Sequence, residues 1–158
     1  MPRQYTPRPH QSEPAHATWV VAADAGRARI FTAPQPDGPL QELSDLLNPE
    51  ARLQEHDAVS DRRGQMRGGT SASEAYDSRH THHEHAAAAF AKDLCRRLGA
   101  AQRSGEVARI YLLADPQFLG LLRENLDETT RKLVVQELAS DVTRRPIADI
   151  RKALPARL

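Results

Sequence analysis

The chain has 158 residues, a length typical of one domain with a core of ordinary size. Apolar residues make up 39% and aromatic residues only 4%, so the core must consist mainly of aliphatic side chains. The formal net charge is only +1, so the surface as a whole is not basic enough to attract nucleic acid or an anionic membrane. Any such binding would have to come from a local basic patch. The single cysteine, Cys95, can form no internal disulfide and gives no sign of an oxidising compartment.

Residues 1–17 are polar and contain four prolines, with no apolar run. This composition predicts a disordered tail and is unlike a signal peptide or a membrane anchor. No later apolar run approaches the length of a membrane span. We therefore expect a cytoplasmic protein without membrane association, whose single folded domain covers residues 18–158.

Three strands are predicted at the start of the domain. Residues 19–23 form a short apolar run typical of a buried strand, and residues 27–31 alternate polar and apolar side chains. The turn chemistry of Asp24-Ala25-Gly26 between them predicts a β-hairpin. After a turn rich in proline and glycine, residues 40–46 are predicted to return as a third, edge strand.

Residues 48–80 have no sustained apolar period and are rich in glycine, serine, arginine and aspartate. A connection of this length is uncommon within a compact domain and is usually either functional or disordered. We therefore predict a long flexible loop over these residues and place the main functional hypothesis in it.

Helical spacing is clearest between residues 81 and 98, where apolar side chains recur at intervals of three and four: Ala87, Phe90, Ala91, Leu94 and Leu98. Thr81 and Glu84 match the capping box of a helix start, and Gly99 suits a helix end. A helix is therefore predicted over residues 81–98.

The remainder of the chain alternates strand and helix. Residues 107–114 are almost continuously apolar and predict a central strand covered on both faces, and Asp115 with Pro116 then suits the start of a helix. A fifth strand is predicted to open at residues 133–135, although residues 133–138 also suit a continuation of the helix. A short last helix begins at Pro146. This order of elements predicts an α/β domain with a mixed sheet and helices packed on it.

Four segments resemble the bacterial host-attachment proteins, described as required for attachment to host cells: residues 20–31 (VVAADAGRARIF), 60–64 (SDRRG), 90–94 (FAKDL) and 114–123 (ADPQFLGLLR). That family in turn resembles the middle domain of archaeal and eukaryotic peptide-release factors, which has a ribonuclease-H-like sheet. This resemblance implies five strands in the order 3-2-1-4-5, with three antiparallel strands followed by two parallel ones.

The release factors carry a Gly-Gly-Gln tripeptide in a basic loop before the long helix. The equivalent residues here are Gly68, Gly69 and Thr70, so a threonine stands where the essential glutamine would be. The resemblance therefore does not extend to peptidyl-tRNA hydrolysis.

Arginines in the same loop suit a contact with RNA phosphate, because guanidinium forks match phosphate oxygens: Arg62, Arg63 and Arg67. The alternative is an ordinary solvated loop. Over residues 48–80 six acidic residues outnumber five arginines, and Tyr76 is the only aromatic side chain available for stacking on a base.

Asp24 and Asp115 are candidates for metal-dependent chemistry. They would follow neighbouring strands at the edge where open α/β sheets bind ligands and where ribonuclease-H-like nucleases place metal-binding acids. A two-metal site would also need further acids, such as Glu84 or Asp149. The alternative is that Asp24 only sets its turn and Asp115 only caps its helix.

A histidine cluster covers residues 80–85. On a helix His82 and His85 share a face and could hold part of a metal site, and the alternative is a solvated first helical turn. The zincin motif H-E-x-x-H is absent because Ala87 replaces its second histidine. No phosphate-binding glycine motif is present either, so no cofactor is expected. Cys95 lies beside the apolar stripe and is interpreted as a packed thiol rather than a nucleophile.

Three functional hypotheses follow. The first is a non-catalytic binding module of host-attachment type that contacts RNA or the translation machinery through its Arg/Gly loop. The second is a metal-dependent hydrolase or nuclease that uses Asp24 and Asp115. The third is a protein-binding adaptor. The sequence does not decide between them, and it leaves the oligomeric state open.

Overall fold

The computed structural model describes residues 17–51 and 72–158, with side chains from residue 78 onward in the second range. The strands are β1 (Thr18–Ala23), β2 (Arg27–Thr32), β3 (Gln41–Leu47), β4 (Arg109–Ala114) and β5 (Val134–Ala139). The helices are α1 (Ala72–Arg103), α2 (Pro116–Asn125), α3 (Glu128–Arg131) and α4 (Ile147–Lys152).

The five strands form one mixed sheet in the order β3-β2-β1-β4-β5. β2 is antiparallel to both β1 and β3, whereas β4 is parallel to both β1 and β5. The predicted mixed α/β sheet is therefore confirmed. The alternative of a continued helix over residues 133–138 is wrong, because the chain makes the short, unpredicted helix α3 and then pairs with β4 as β5.

The sheet separates two hydrophobic cores. Helices α1 and α2 cover one face, and α4 with the C-terminal residues covers the other. Alternate residues of β1 divide between them, with Val21 and Ala23 on the α1 side and Val20 and Ala22 on the other. All four are fully buried. Burial on both faces explains why β1 and β4 are continuous apolar runs in the sequence.

Helix α1 extends beyond its predicted range at both ends. Residues 72–80, which the sequence assigns to the loop, are helical, so Thr81 and Glu84 lie inside the helix and the capping-box prediction is wrong. Residues 78–85 are all exposed, and the first buried residue described is Ala86. This part of the helix has no apolar face, which is why the sequence pattern does not reveal it.

Helix α1 ends in a Schellman motif and not at Gly99. Gly105 has a φ of 76°, and the backbone N–H groups of Gly105 and Glu106 donate to carbonyls of the last helical turn at 3.1 and 3.0 Å. Gly99 instead permits close packing, because a Cβ there would lie 2.9 Å from Oδ2 of Asp127. The prediction that Gly99 ends the helix is therefore wrong.

Both edge strands carry a bulge. The pairing of β3 with β2 skips Leu43, and the pairing of β5 with β4 skips Val135. These two side chains are 52% and 50% exposed. Bulges twist an edge strand away from further strand pairing. They therefore explain how these two apolar side chains can stand exposed on the edge strands of the described sheet.

Candidate functional site

The loops after β1 and β4 meet at one edge of the sheet, which we call the carboxyl-end edge. The two parallel strands are in register at Ala23 and Ala114, so Asp24 and Asp115 occupy neighbouring positions there, as predicted. The antiparallel pairing brings the start of β2 and the end of β3 to the same edge. Ligands of open α/β sheets bind at this edge.

The carboxylate of Asp24 is engaged in holding the turn between β1 and β2. Its Oδ1 accepts hydrogen bonds from the backbone N–H groups of Gly26 and Arg27 at 2.7 and 2.8 Å. Its Oδ2 accepts a hydrogen bond from the hydroxyl of Thr143, in the loop after β5. Asp24 therefore fixes its own turn and joins it to a distant loop.

The carboxylate of Asp115 caps helix α2. Its Oδ1 accepts hydrogen bonds from the backbone N–H groups of Gln117 and Phe118, both at 3.1 Å, and Pro116 occupies the first helical position. These bonds satisfy two N–H groups that lack partners within the helix. The predicted helix start is confirmed.

The geometry of these two residues gives the hydrolase hypothesis no support. Two-metal chemistry requires carboxylates that bridge ions ~4 Å apart, yet Asp24 and Asp115 each act as a turn or cap acceptor. Among the residues with described side chains, no three His, Cys, Asp or Glu side chains are arranged to hold one metal ion. The predicted helpers Glu84 and Asp149 thus complete no such group.

A cleft of about 590 Å³ lies between helix α1 and the start of helix α2. Its polar lining comprises His80, His83, Glu84, His85, Asp115 and Gln117, and its apolar lining comprises Ala25, Ala87, Ala88, Phe118 and Leu121. The cleft therefore lies at the carboxyl-end edge and is lined by both apolar and ionisable side chains.

The structure pairs different histidine-cluster residues from those predicted. Of His82 and His85, only His85 borders the cleft. The ring Nδ1 of His80 instead lies 3.2 Å from Oε1 of Glu84, one helical turn further on. The sequence pattern does not reveal this pair, because the helix that it predicts begins at Thr81, after His80. The spacing of four residues would have revealed it in a longer helix.

Asn48 holds three segments of the carboxyl-end edge together. The residue is only 4% exposed, and its Nδ2 donates to the carbonyl oxygens of Ala25 at 2.8 Å and Ala86 at 3.3 Å. Its backbone N–H donates to the carbonyl of Gly26 at 2.8 Å. The β1–β2 turn, the end of β3 and helix α1 are thereby joined. The predicted flexible loop wrongly includes Asn48, although an Asn-Pro pair after a strand pattern signals an ordered turn.

Arg29 is a second nearly buried polar group that the sequence analysis did not single out. Its guanidinium forms a fork with both carboxylate oxygens of Glu42 at 2.8 and 3.0 Å and lies 5.0 Å from the ring centroid of Phe31. The hydrogen bond from Arg29 lowers the pKa of Glu42. Arg29 also donates to two carbonyls of the loop after β5, which holds Thr143 beside Asp24.

The predicted RNA- or partner-binding residues lie outside the described part of the chain: Arg62, Arg63, Arg67, Gly68, Gly69 and Thr70. The same holds for residues 1–16 of the predicted tail. The description stops at residue 51 and resumes at residue 72. Ala51, the last described residue before this gap, lines a cavity of about 240 Å³ at the carboxyl-end edge together with Asp24, Gly26 and Asn48.

Cys95 is a buried thiol on helix α1. Burial raises its pKa to about 11, and the nearby Asp127 carboxylate adds to the effect. Its Sγ donates to the carbonyl oxygen of Leu122 at 3.6 Å. The interpretation as a packed thiol agrees with this environment, because a nucleophilic cysteine needs an accessible thiolate.

Residues 19–154 match the family model described as "Protein required for attachment to host cells". The chain belongs to the host-attachment family. No curated protein shows significant sequence similarity to this host-attachment protein. Within its described residues, no helix combines the length and the apolar character needed to cross a membrane.

Proposed function

We propose that this host-attachment protein is a non-catalytic binding module whose ligand is RNA. The contact would be made by Arg62, Arg63 and Arg67, with Gly68, Gly69 and Thr70 next to them in the sequence. The observation that carries the proposal is the hydrogen bonding of Asn48. Its amide ties the end of β3 to the β1–β2 turn and to helix α1, and β3 and α1 are the elements that precede and follow the arginine segment in the sequence.

The chemistry of the segment favours phosphate over base recognition. Guanidinium groups form paired hydrogen bonds with phosphate oxygens, and neighbouring glycines let a backbone approach closely. Tyr76 is the only aromatic residue in residues 48–80, so little stacking on bases is available. We therefore expect binding that depends weakly on RNA sequence and strongly on salt.

The resemblance to the release-factor middle domain supports an RNA-rich partner such as the ribosome, and with it a cytoplasmic location in a bacterial cell. The sheet order β3-β2-β1-β4-β5 agrees with the order that this ribonuclease-H-like relationship implies. Thr70 at the position of the glutamine argues against peptide release as the activity. A fold-level likeness identifies the class of partner only, and the site must supply the rest.

The test is a salt titration of binding to a short, fluorescein-labelled single-stranded RNA, followed by anisotropy. The slope of log affinity against log salt should be about −0.7 for each phosphate neutralised. The triple variant R62A/R63A/R67A should bind more weakly and lose up to about two units of slope, since each arginine neutralises at most one phosphate.

A matched control removes three exposed arginines that lie away from the carboxyl-end edge: Arg97, Arg109 and Arg157. Both triple variants change the net charge equally, so a general charge effect would weaken both. The proposal requires that only the first variant loses binding. If the wild type does not bind RNA at low salt, or R62A/R63A/R67A binds as tightly as the wild type, the protein-binding adaptor becomes the leading hypothesis.

A further inference from the structure

The loop after β5 is fastened to the carboxyl-end edge by a set of hydrogen bonds. Arg29 is only 9% exposed, and its Nη1 donates to the carbonyl oxygens of Thr143 at 3.2 Å and of Arg145 at 2.9 Å. The hydroxyl of Thr143, a fully buried residue, donates to Oδ2 of Asp24. These bonds fix the backbone on both sides of Arg144, which is itself exposed. The fold therefore uses one nearly buried arginine to hold a second arginine at the surface.

Arg144 is a cation without a partner in the described part of the chain. Its guanidinium forms no hydrogen bond and no ion pair with a described residue, whereas Arg27 and Arg29 each form a fork with a carboxylate. The planar group of Arg144 therefore keeps all of its N–H donors. Both these donors and the positive charge are available to an anion from outside the chain.

Arg144 lines a cavity of about 240 Å³ at this edge, together with Asp24, Arg27 and Asn48. Asp24 is the only acidic residue among the described lining residues, and its carboxylate already accepts three hydrogen bonds. Nε and Nη2 of Arg27 donate to the carboxylate of Asp45, whose negative charge balances that of the guanidinium. An anion that enters this cavity therefore finds its main source of positive charge in Arg144.

We propose that this cavity binds a phosphate group of the RNA backbone, and that Arg144 is the residue that binds it. A guanidinium group donates two parallel hydrogen bonds to phosphate oxygens and stays charged at physiological pH. The inference rests on the proposed RNA binding and extends it to a residue whose position the structure describes. Ala51, the last described residue before the segment with Arg62, Arg63 and Arg67, lines the same cavity.

Arg145 offers a matched control. It follows Arg144 directly, is also exposed, and forms no side-chain hydrogen bond or ion pair with a described residue, but it does not line the cavity. Its contact with Arg29 uses the backbone carbonyl, which a side-chain substitution leaves in place. R144A and R145A therefore change the net charge equally and differ in whether the lost side chain belongs to the cavity.

The test is a salt titration of the full chain with fluorescein-labelled single-stranded RNA, followed by anisotropy. R144A should reduce the magnitude of the slope of log affinity against log salt by about 0.7, the value for one phosphate on a single strand. Over the tenfold interval between 0.1 M and 1 M salt, this slope corresponds to a loss of affinity of about fivefold at 0.1 M. R145A should bind as the wild type does. R144K should keep the wild-type slope, because lysine also neutralises a phosphate as a point charge.

The variants separate this inference from the proposed function. An unchanged slope in R144A, equal losses in R144A and R145A, or a slope in R144K as low as in R144A would overturn the cavity as a phosphate site. R62A/R63A/R67A could still lose binding in that case, and the proposed function would stand. A loss in R144A with none in R62A/R63A/R67A would keep the cavity and reject the arginine segment. A wild type that binds no RNA at low salt would overturn both.

Discussion

The two parts of helix α1 differ in almost every respect. Residues 78–85 are exposed and polar, with the histidine cluster and the cleft at their side. Residues 86–101 place a regular apolar face against the sheet, and the helix then ends in a Schellman motif at Gly105. Helix α1 therefore joins an exposed N-terminal part to a C-terminal part that packs in the hydrophobic core. The residues free of packing constraints are those that can carry recognition.

The largest expected difference between the two parts is in how much an alanine substitution lowers the free energy of unfolding. Leu98 is fully buried in the core beneath α1, so Leu98→Ala removes packed methyl groups and leaves a cavity. We expect a loss of about 2 to 5 kcal/mol in the free energy of unfolding, measured by urea denaturation. His82→Ala, on the exposed part, should change it by no more than about 0.5 kcal/mol. Similar losses in both variants would contradict the division of the helix.

Two helical glycines, Gly99 and Gly120, test how tightly the packed part of α1 fits against its neighbours. A Cβ at Gly99 would lie 2.9 Å from Oδ2 of Asp127, whereas a Cβ at Gly120 of α2 would meet nothing within 4 Å. Overpacking at Gly99 should cost about 1 to 3 kcal/mol and the better helix propensity of alanine should offset about 0.5 to 1 kcal/mol, so Gly99→Ala should destabilise the protein by up to about 2 kcal/mol. Gly120→Ala should stabilise it by about 0.5 to 1 kcal/mol, because alanine is the better helix former. Stabilisation by both substitutions would show that Asp127 yields readily.

The smallest expected effect is on the pH dependence of the free energy of unfolding, and it comes from Asp127, the residue that contacts Gly99. Hydrogen bonds from the Thr129 hydroxyl and from the backbone and hydroxyl of Thr130 lower the pKa of Asp127 from 3.8 to about 2. Because the pKa of Asp127 is lower in the folded state, the ionised carboxylate stabilises the fold. This contribution to the free energy of unfolding is complete above the pKa of the unfolded chain, about 4, and is lost as the pH falls towards 2.

Because Asp127 is exposed, solvent screening should keep this contribution below about 1 kcal/mol. Asp127→Asn should flatten the fall in unfolding free energy between pH 4 and pH 2 in urea titrations. An unchanged pH profile in this variant would assign the acid sensitivity to other carboxyl groups.

The fold could be predicted where buried positions recur regularly along the sequence as apolar residues. The apolar runs of β1 and β4, the stripe from Phe90 to Leu98 and the Asp115-Pro116 cap all reflect core or cap geometry directly, whereas Ala87, predicted in the same stripe, lies outside the core and lines the cleft. The strand order came from the family resemblance and not from the local pattern, because pairing partners are set by contacts distant in sequence.

The site was less predictable, for a physical reason in each case. Asp24 and Asp115 were brought to one edge as expected, but only the structure shows that both act as turn and cap acceptors. Asn48 and Arg29 satisfy their hydrogen-bonding groups with carbonyls of distant segments, which no local motif encodes. The His80–Glu84 pair depends on a helical turn that lacks any apolar face.

The proposed function predicts that RNA is recognised at the carboxyl-end edge of the sheet. The most direct measurement is NMR chemical-shift mapping of the full chain titrated with single-stranded RNA at low salt. If RNA binds at the carboxyl-end edge, the amides of Ala25, Gly26, Asn48 and residues 78–88 should be perturbed, with little change at Gly105 or at the β2–β3 turn on the opposite edge. Perturbations concentrated at Gly105 and that turn, or no perturbation at any RNA concentration, would contradict it.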